Sequence, residues 1–188
     1  MNPVDPADRY YFLHPGQILV TDDDKPVMTI LGSCVALTIY SPERKMGGIF
    51  HALLPEYREK KRAIKDSPPV SPDPDYVDYS FYYIRNRFSE LGIDISRARL
   101  MLFGGGDVLQ PLAPAGKGTV GRKNIEVIKS ILVKERLTIA AEDTGGTEAR
   151  KIIFYPSSGK ISVEYIKSDM PAAGGSICEK KNRRFDCR

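Results

Sequence analysis

Val27-Met28-Thr29-Ile30-Leu31, Gly32-Ser33-Cys34, Val35-Ala36-Leu37-Thr38-Ile39-Tyr40 and, after a short turn, Met46-Gly47-Gly48-Ile49-Phe50-His51-Ala52-Leu53-Leu54 decide how this chain folds. The apolar runs are rich in β-branched residues, which suit a pleated and half-buried surface. Gly32-Ser33 interrupts them, the mark of a bulge or a close backbone approach. Ser41-Pro42-Glu43-Arg44 places proline at the second position of a type I turn. The second and third apolar runs are therefore expected to close as an antiparallel hairpin. With its turn centred between Pro42 and Glu43, Cys34 falls directly opposite His51. Directly opposed residues hold their Cβ atoms roughly 4.5–5.5 Å apart, whereas a slip of one residue would put the two side chains on opposite faces.

Outward from this hairpin, residues 1–9 are polar and proline-broken and are expected to be loose. Ile18-Leu19-Val20 is a short strand, and Asp22-Asp23-Asp24 a charged surface turn that lacks the spacing of a calcium loop. Residues 55–75 hold many charges and five prolines, too little apolar surface to order well, and are expected to form a mobile loop. Phe81, Ile84, Phe88 and Leu91 recur at helical steps from Asp78, and Gly92 is a C-terminal stop. Arg99–Phe103 is a strand ending in Gly104-Gly105-Gly106-Asp107. A second helix is expected over Gly121–Arg136, with Ile125, Ile128 and Leu132 inward. Leu137–Ala141 is the next strand and Glu142–Gly146 a loop. Lys151–Tyr155 and Ile161–Tyr165 flank Pro156-Ser157-Ser158-Gly159, a second hairpin. Residues 168–188 are glycine-rich, then basic, and read as a disordered tail. Strands dominate around two main helices and do not alternate as βαβ units. The expected class is α+β, a layered domain over residues 10–167 with a mostly antiparallel sheet.

With 188 residues, 41% hydrophobic and 28% charged, the chain has the composition of one globular domain with a real core. No run approaches the roughly 18 apolar residues of a membrane span, and the N-terminus lacks the features of a signal peptide. A cytoplasmic location without membrane insertion is expected. The net charge of +4 is concentrated in Glu59-Lys60-Lys61-Arg62 and Lys180-Lys181-Asn182-Arg183-Arg184. No nucleic-acid motif accompanies these clusters, so nucleic acid is not an expected partner. Cysteines at 34, 178 and 187 form neither a disulfide framework nor a metal pair, and no metal or cofactor is expected.

Cys34 has two competing roles, a small core hydrophobe or a nucleophile. A thiol beside an imidazole is the arrangement of thiol acyl transfer. The histidine takes the thiol proton, holds the resulting ion pair and later protonates the leaving group. Gly32 would let a substrate approach, and the N–H groups of Ser33 and Cys34 would stabilise an oxyanion. Thr29, Ser33 and Asp107 are all within range to orient the base.

At these residues the chain resembles the CheD family of chemoreceptor glutamine deamidases. The resemblance is carried by Leu31–Ala36 and Gly47–Pro55. It continues through Phe103-Gly104-Gly105-Gly106, Gly121-Arg122-Lys123-Asn124, Ala141–Gly146 and Arg150-Lys151, with His14-Pro15-Gly16 near the N-terminus. It implies an α/β/β sandwich, a hydrolase of chemotaxis that deamidates glutamines on receptor cytoplasmic helices, and for some members a CheC-type phosphatase as partner. By resemblance the nucleophile is Cys34, the base His51 and the third catalytic residue Thr29, with Met28 in the other candidate position. Gly32, Ser33, Gly104 and Gly105 are the expected oxyanion and substrate-positioning residues. Gly106-Asp107 departs from the alanine and asparagine frequent there, which bears on the pocket rim.

Overall fold

The computed structural model describes residues 9–56, 73–108, 118–166 and 182–185. Among them are ten strands: β1 (Tyr11–Phe12), β2 (Gln17–Thr21), β3 (Val27–Leu31), β4 (Val35–Ser41), β5 (Met46–Ala52), β6 (Arg99–Gly104), β7 (Ile139–Thr144), β8 (Ala149–Tyr155), β9 (Lys160–Ile166) and β10 (Asn182–Phe185). Two α-helices accompany them, α1 (Val77–Glu90) and α2 (Val120–Lys134). The strands make two sheets, ordered β1-β3-β8-β9-β10 and β2-β5-β4-β6-β7. Only β1 with β3 and β6 with β7 pair in parallel.

Both helices cover one face of the second sheet. Val35, Leu37, Ile39, Phe50 and Ala52 meet Phe81, Ile84 and Phe88 of α1 and Ile128 and Leu132 of α2. The opposite face packs on the first sheet, where Ala36, Ile49, Met101 and Phe103 meet Val27, Leu31, Ile152, Phe154 and Val163. The result is an α/β/β sandwich. A sheet covered on both faces needs apolar residues at successive positions. Every residue of β4 is accordingly buried. Among the described residues the first sheet is covered on one face only, and β3 and β8 alternate between inward and outward residues. Gly47 and Gly48 let the layers close on β5. A Cβ at Gly47 would strike Phe154 and Pro156, and one at Gly48 would strike Phe88 and Ile84.

Several expectations are corrected. The interruption at Gly32 is not a bulge within one sheet: β3 and β4 lie in different sheets, and residues 32–34 are the crossing between them. The turn after β4 spans four residues, because Ser41 pairs with Met46. His51 thus faces Ala36 instead of Cys34. The strand after α2 runs to Thr144, so Glu142 and Asp143 belong to β7. One βαβ unit is present, since β6 and β7 are parallel neighbours joined through α2. Within the expected tail, Asn182–Phe185 pairs antiparallel with β9, and Phe185 packs edge-on against Phe103. Most of the expected mobile loop and loose N-terminus lies outside the described residues. No helix among the described residues is long and apolar enough to cross a membrane.

Candidate active site

The site forms where the inter-sheet layer ends, and three elements deliver its side chains. Strand β3 belongs to the first sheet and alternates, so Val27, Thr29 and Leu31 point inward while Met28 and Ile30 point out. Thr29 is therefore fully buried on the inward face, and Met28 is on the other. On β5, Phe50 and Ala52 face the helices, so His51 between them faces the first sheet. Cys34 follows the crossing and packs against the inter-sheet core. It lies two residues before Ala36, the partner of His51. A register displaced by two keeps the face, so Cys34 and His51 still share one side, as diagonal neighbours.

Thr29 and His51 are in direct contact. The Thr29 hydroxyl donates to the Leu13 carbonyl at 2.7 Å and lies 2.7 Å from His51 Nδ1. A carbonyl oxygen can only accept, so the single hydroxyl hydrogen is committed to Leu13. Thr29 Oγ1 is then an acceptor toward the imidazole. Nδ1 must carry the ring hydrogen, which leaves the Nε2 lone pair free. Nε2 is buried and has no partner among the described residues. No hydrogen bond joins it to the Cys34 thiol in this state.

Burial is the main electrostatic influence on both groups. It raises the Cys34 thiol above its ordinary value, opposed by the residue's own backbone N–H and reinforced by the Asp75 carboxylate. It lowers His51 to about 4, opposed by the Leu13 carbonyl and reinforced by His14. Both shifts favour a neutral thiol beside a neutral imidazole.

The glycine turn after β6 fastens the crossing. Gly105 N–H donates to the Cys34 carbonyl at 2.7 Å and Gly106 N–H to the Gly32 carbonyl at 2.8 Å. Gly104 has φ 98°, and a Cβ there would strike the Cys34 carbonyl oxygen. The Gly105 N–H is thereby engaged with the backbone of Cys34. The N–H groups of Ser33 and Cys34 have no carbonyl partner among the described residues. Asp107 does not reach the base: its carboxylate accepts from the Thr119 hydroxyl and its N–H donates to Gly146.

Two buried polar residues were quoted above only within motifs. Asn124, fully buried on α2, donates through Nδ2 to the carbonyls of Ser33 (3.0 Å) and Leu53 (2.9 Å). Arg150 on β8 is 1% exposed. It donates to the Asp143 carboxylate at 2.5 Å and to the Gly145 carbonyl, while the Tyr165 hydroxyl donates to the same carboxylate at 2.8 Å. Both could have been found by pattern. Asn124 lies one and two helical turns before Ile128 and Ile131 on the buried stripe, and Arg150 shares the inward parity of Ile152 and Phe154. Among the described residues, no three His, Cys, Asp or Glu side chains gather as a metal site.

The family described as CheD chemotactic sensory transduction matches residues 53–165. A protein of Saccharophagus degradans named probable chemoreceptor glutamine deamidase CheD is 32% identical over 152 residues, 81% of this chain and 68% of its own length. One of Xanthomonas campestris with the same name is 35% identical, covering 82% of this chain and 72% of the relative. A third, from Geobacter sulfurreducens and named probable chemoreceptor glutamine deamidase CheD 2, is 33% identical over 164 residues, covering 86% and 92%. An aligned span of that length necessarily takes in Thr29, Cys34 and His51 of this chain. With a family match over more than half of its residues and relatives aligned along most of its length, the chain belongs to the CheD family.

Proposed function

We propose that this protein is a chemoreceptor glutamine deamidase that works through Cys34, His51 and Thr29. The observation that carries the reading is the hydrogen-bond chain from the Leu13 carbonyl through Thr29 to His51. It fixes the tautomer that leaves Nε2 as a buried, unpartnered base on the face where Cys34 lies. Hydrogen bonds that are long or absent without substrate commonly tighten in the reactive complex.

In the first step His51 Nε2 takes the Cys34 proton as Sγ attacks the side-chain carbonyl carbon of a glutamine. The carbonyl electrons move to oxygen, and the backbone N–H groups of Ser33 and Cys34 receive the oxyanion. The tetrahedral adduct collapses, the C–N bond breaks, and the proton on Nε2 goes to the departing nitrogen as ammonia leaves. A water molecule then gives a proton to Nε2 and attacks the thioester carbon. The C–S bond breaks, Sγ regains the proton, and the residue is glutamate. One water is consumed and one ammonia released.

Thr29 touches no reacting atom in this scheme; it holds the base in one tautomer, as a carboxylate does in related triads. Gly104 and Gly105 act through the backbone of the nucleophile. The substrate is a glutamine on a receptor cytoplasmic helix, which puts the enzyme in the cytoplasm. A CheC-type phosphatase is a second partner by family resemblance. A short side chain offers little to grip, so binding energy must come from receptor surface around the glutamine.

The test is incubation with a receptor cytoplasmic fragment. Ammonia release and the mass gain of amide-to-acid conversion are expected. Cys34→Ala and His51→Ala should abolish both. Full turnover by Cys34→Ala would refute the mechanism. Receptor binding without turnover in the wild-type chain would indicate a non-catalytic adaptor.

A further inference from the structure

We infer that Asn124 is a positioning residue: its carboxamide sets the direction of the Cys34 backbone N–H and holds the nucleophile's corner to the strand that carries the base. The kinetic part of this inference rests on the deamidase reading; its geometric part does not.

The β4–β5 ladder ends at Val35 and Ala52. One step further, Cys34 and Leu53 would be the next facing pair, but the strands part there. The N–H groups of Leu53 and Leu54 both turn to the Asp75 carbonyl, at 2.8 and 2.9 Å. Asn124 reaches in from α2 at the point of parting. Its two Nδ2 hydrogens go one to each side, to the Ser33 carbonyl before the nucleophile and to the Leu53 carbonyl after the base. A helix side chain thus replaces the missing ladder bonds.

Peptide planarity makes this bond directional. The Ser33 carbonyl and the Cys34 N–H belong to one rigid unit and point in opposite directions. Holding the carbonyl toward α2 turns the N–H away from α2. The same reasoning applies one residue earlier, where Gly106 holds the Gly32 carbonyl and so directs the Ser33 N–H. With the Cys34 carbonyl held by Gly105, three consecutive carbonyls are fastened by donors outside the crossing. Two consecutive N–H groups are left for a developing oxyanion. Asn124 supplies the only side chain of the three donors.

The residue bears a cost for this role. Its Oδ1 is buried without a partner among the described residues, and an unsatisfied buried acceptor is unfavourable. Asn124 also occupies the stripe of α2 shared with Ile128 and Ile131, where an apolar residue would pack without that penalty.

The test uses the full chain and two substitutions. Asn124→Asp keeps the shape and removes both N–H donors. Asn124→Ser, which introduces no buried charge, keeps the test available should the aspartate not fold. Two readouts are needed. With a receptor fragment, kcat should fall about 100-fold, the scale of losing an oxyanion donor, with KM unchanged. With iodoacetamide, which needs no receptor, the neutral-pH alkylation rate of Cys34 should fall as a fraction of its rate at strongly alkaline pH. That ratio cancels changes in access. A folded variant with a lower melting temperature but unchanged kcat and unchanged alkylation ratio would overturn the inference and leave the deamidase reading standing. A lowered alkylation ratio in the variants, with no deamidation by the wild-type chain, would uphold the positioning role and overturn the deamidase reading.

Discussion

Replacing Thr29 by valine removes one hydroxyl without opening a cavity, and its consequences can be worked out from the geometry. The hydroxyl serves two buried groups: it donates to the Leu13 carbonyl and accepts from His51 Nδ1. Valine leaves both unsatisfied. Each stranded buried group costs about 1–3 kcal/mol, so the fold should lose at least about 2 kcal/mol. In a domain of this size that is a fall of about 4–8 °C in melting temperature. The tautomer changes as well. A hydrogen bond worth about 1–1.5 kcal/mol biases the ratio of the two ring tautomers by roughly five- to tenfold. Without it, Nε2 carries the hydrogen in a larger share of molecules, and those molecules have no base facing Cys34. Loss of ring orientation adds to this. General-base assistance is worth about 100- to 10,000-fold, so kcat/KM should drop by somewhere between about tenfold and the lower end of that range. Nitrogen NMR of the imidazole reports the tautomer directly, and ammonia release from a receptor fragment reports kcat/KM. Thr29→Ser keeps the oxygen and should recover most of both signals. A valine variant that keeps Nδ1 protonated and retains wild-type kcat/KM would refute the argument, whatever its stability.

Other perturbations address the remaining parts of the site. His51 is held at about 4 by burial, below its ordinary 6.5. The unfolded chain therefore binds a proton that the folded chain refuses, and stability should decline as pH falls from about 6.5 to about 4, by up to about 3 kcal/mol; urea unfolding across that window would show it. The acid limb of kcat/KM should lie near pH 4, and the alkaline limb above the ordinary thiol range because burial raises Cys34; an acid limb at the pKa of a free imidazole would contradict the neutral pair. Arg150→Ala takes the buried cation from the Asp143 carboxylate, leaving it the Tyr165 hydroxyl and the exposed Arg183, and should cost about 3 kcal/mol, the lower end for breaking a buried pair, measured by chemical unfolding, with a loss below about 1 kcal/mol contradicting the buried network. Gly104→Ala forces a side chain into φ 98° and against the Cys34 carbonyl, so it should lower both melting temperature and kcat; wild-type kcat in a folded variant would mean that the turn does not hold the nucleophile.

The strands and helices around the site were legible because their periods differ so plainly. Phe81, Ile84 and Phe88 do lie on the buried face of α1, and Gly92 does take the left-handed conformation that ends it, with φ 70°. What a local reading could not see was which strands share a sheet. Thr29 pairs with Ile152, a partner far along the chain, and nothing near Gly32 announces that β3 and β4 part company there. The boundary of β7 was missed for a related reason. Glu142 and Asp143 look like loop residues until Arg150 and Tyr165, from the other sheet, supply the partners that let Asp143 be buried.

The hairpin shows why a misplaced register still put Cys34 and His51 on one face. A two-residue turn put Cys34 opposite His51, and the four-residue turn puts Ala36 there. The displacement is two residues, and the side-chain period of a strand is also two. The face survived although the facing partner did not. The distinction matters for the chemistry. A cysteine within the ladder would have its N–H and carbonyl directed by the neighbouring strands. At the crossing between sheets, Cys34 lies just past the last rung, where its N–H is not consumed by a strand. The open backbone that leaves the N–H groups of Ser33 and Cys34 without carbonyl partners among the described residues also deprives the corner of ladder bonds. That is why Asn124, Gly105 and Gly106 must fasten its carbonyls from outside.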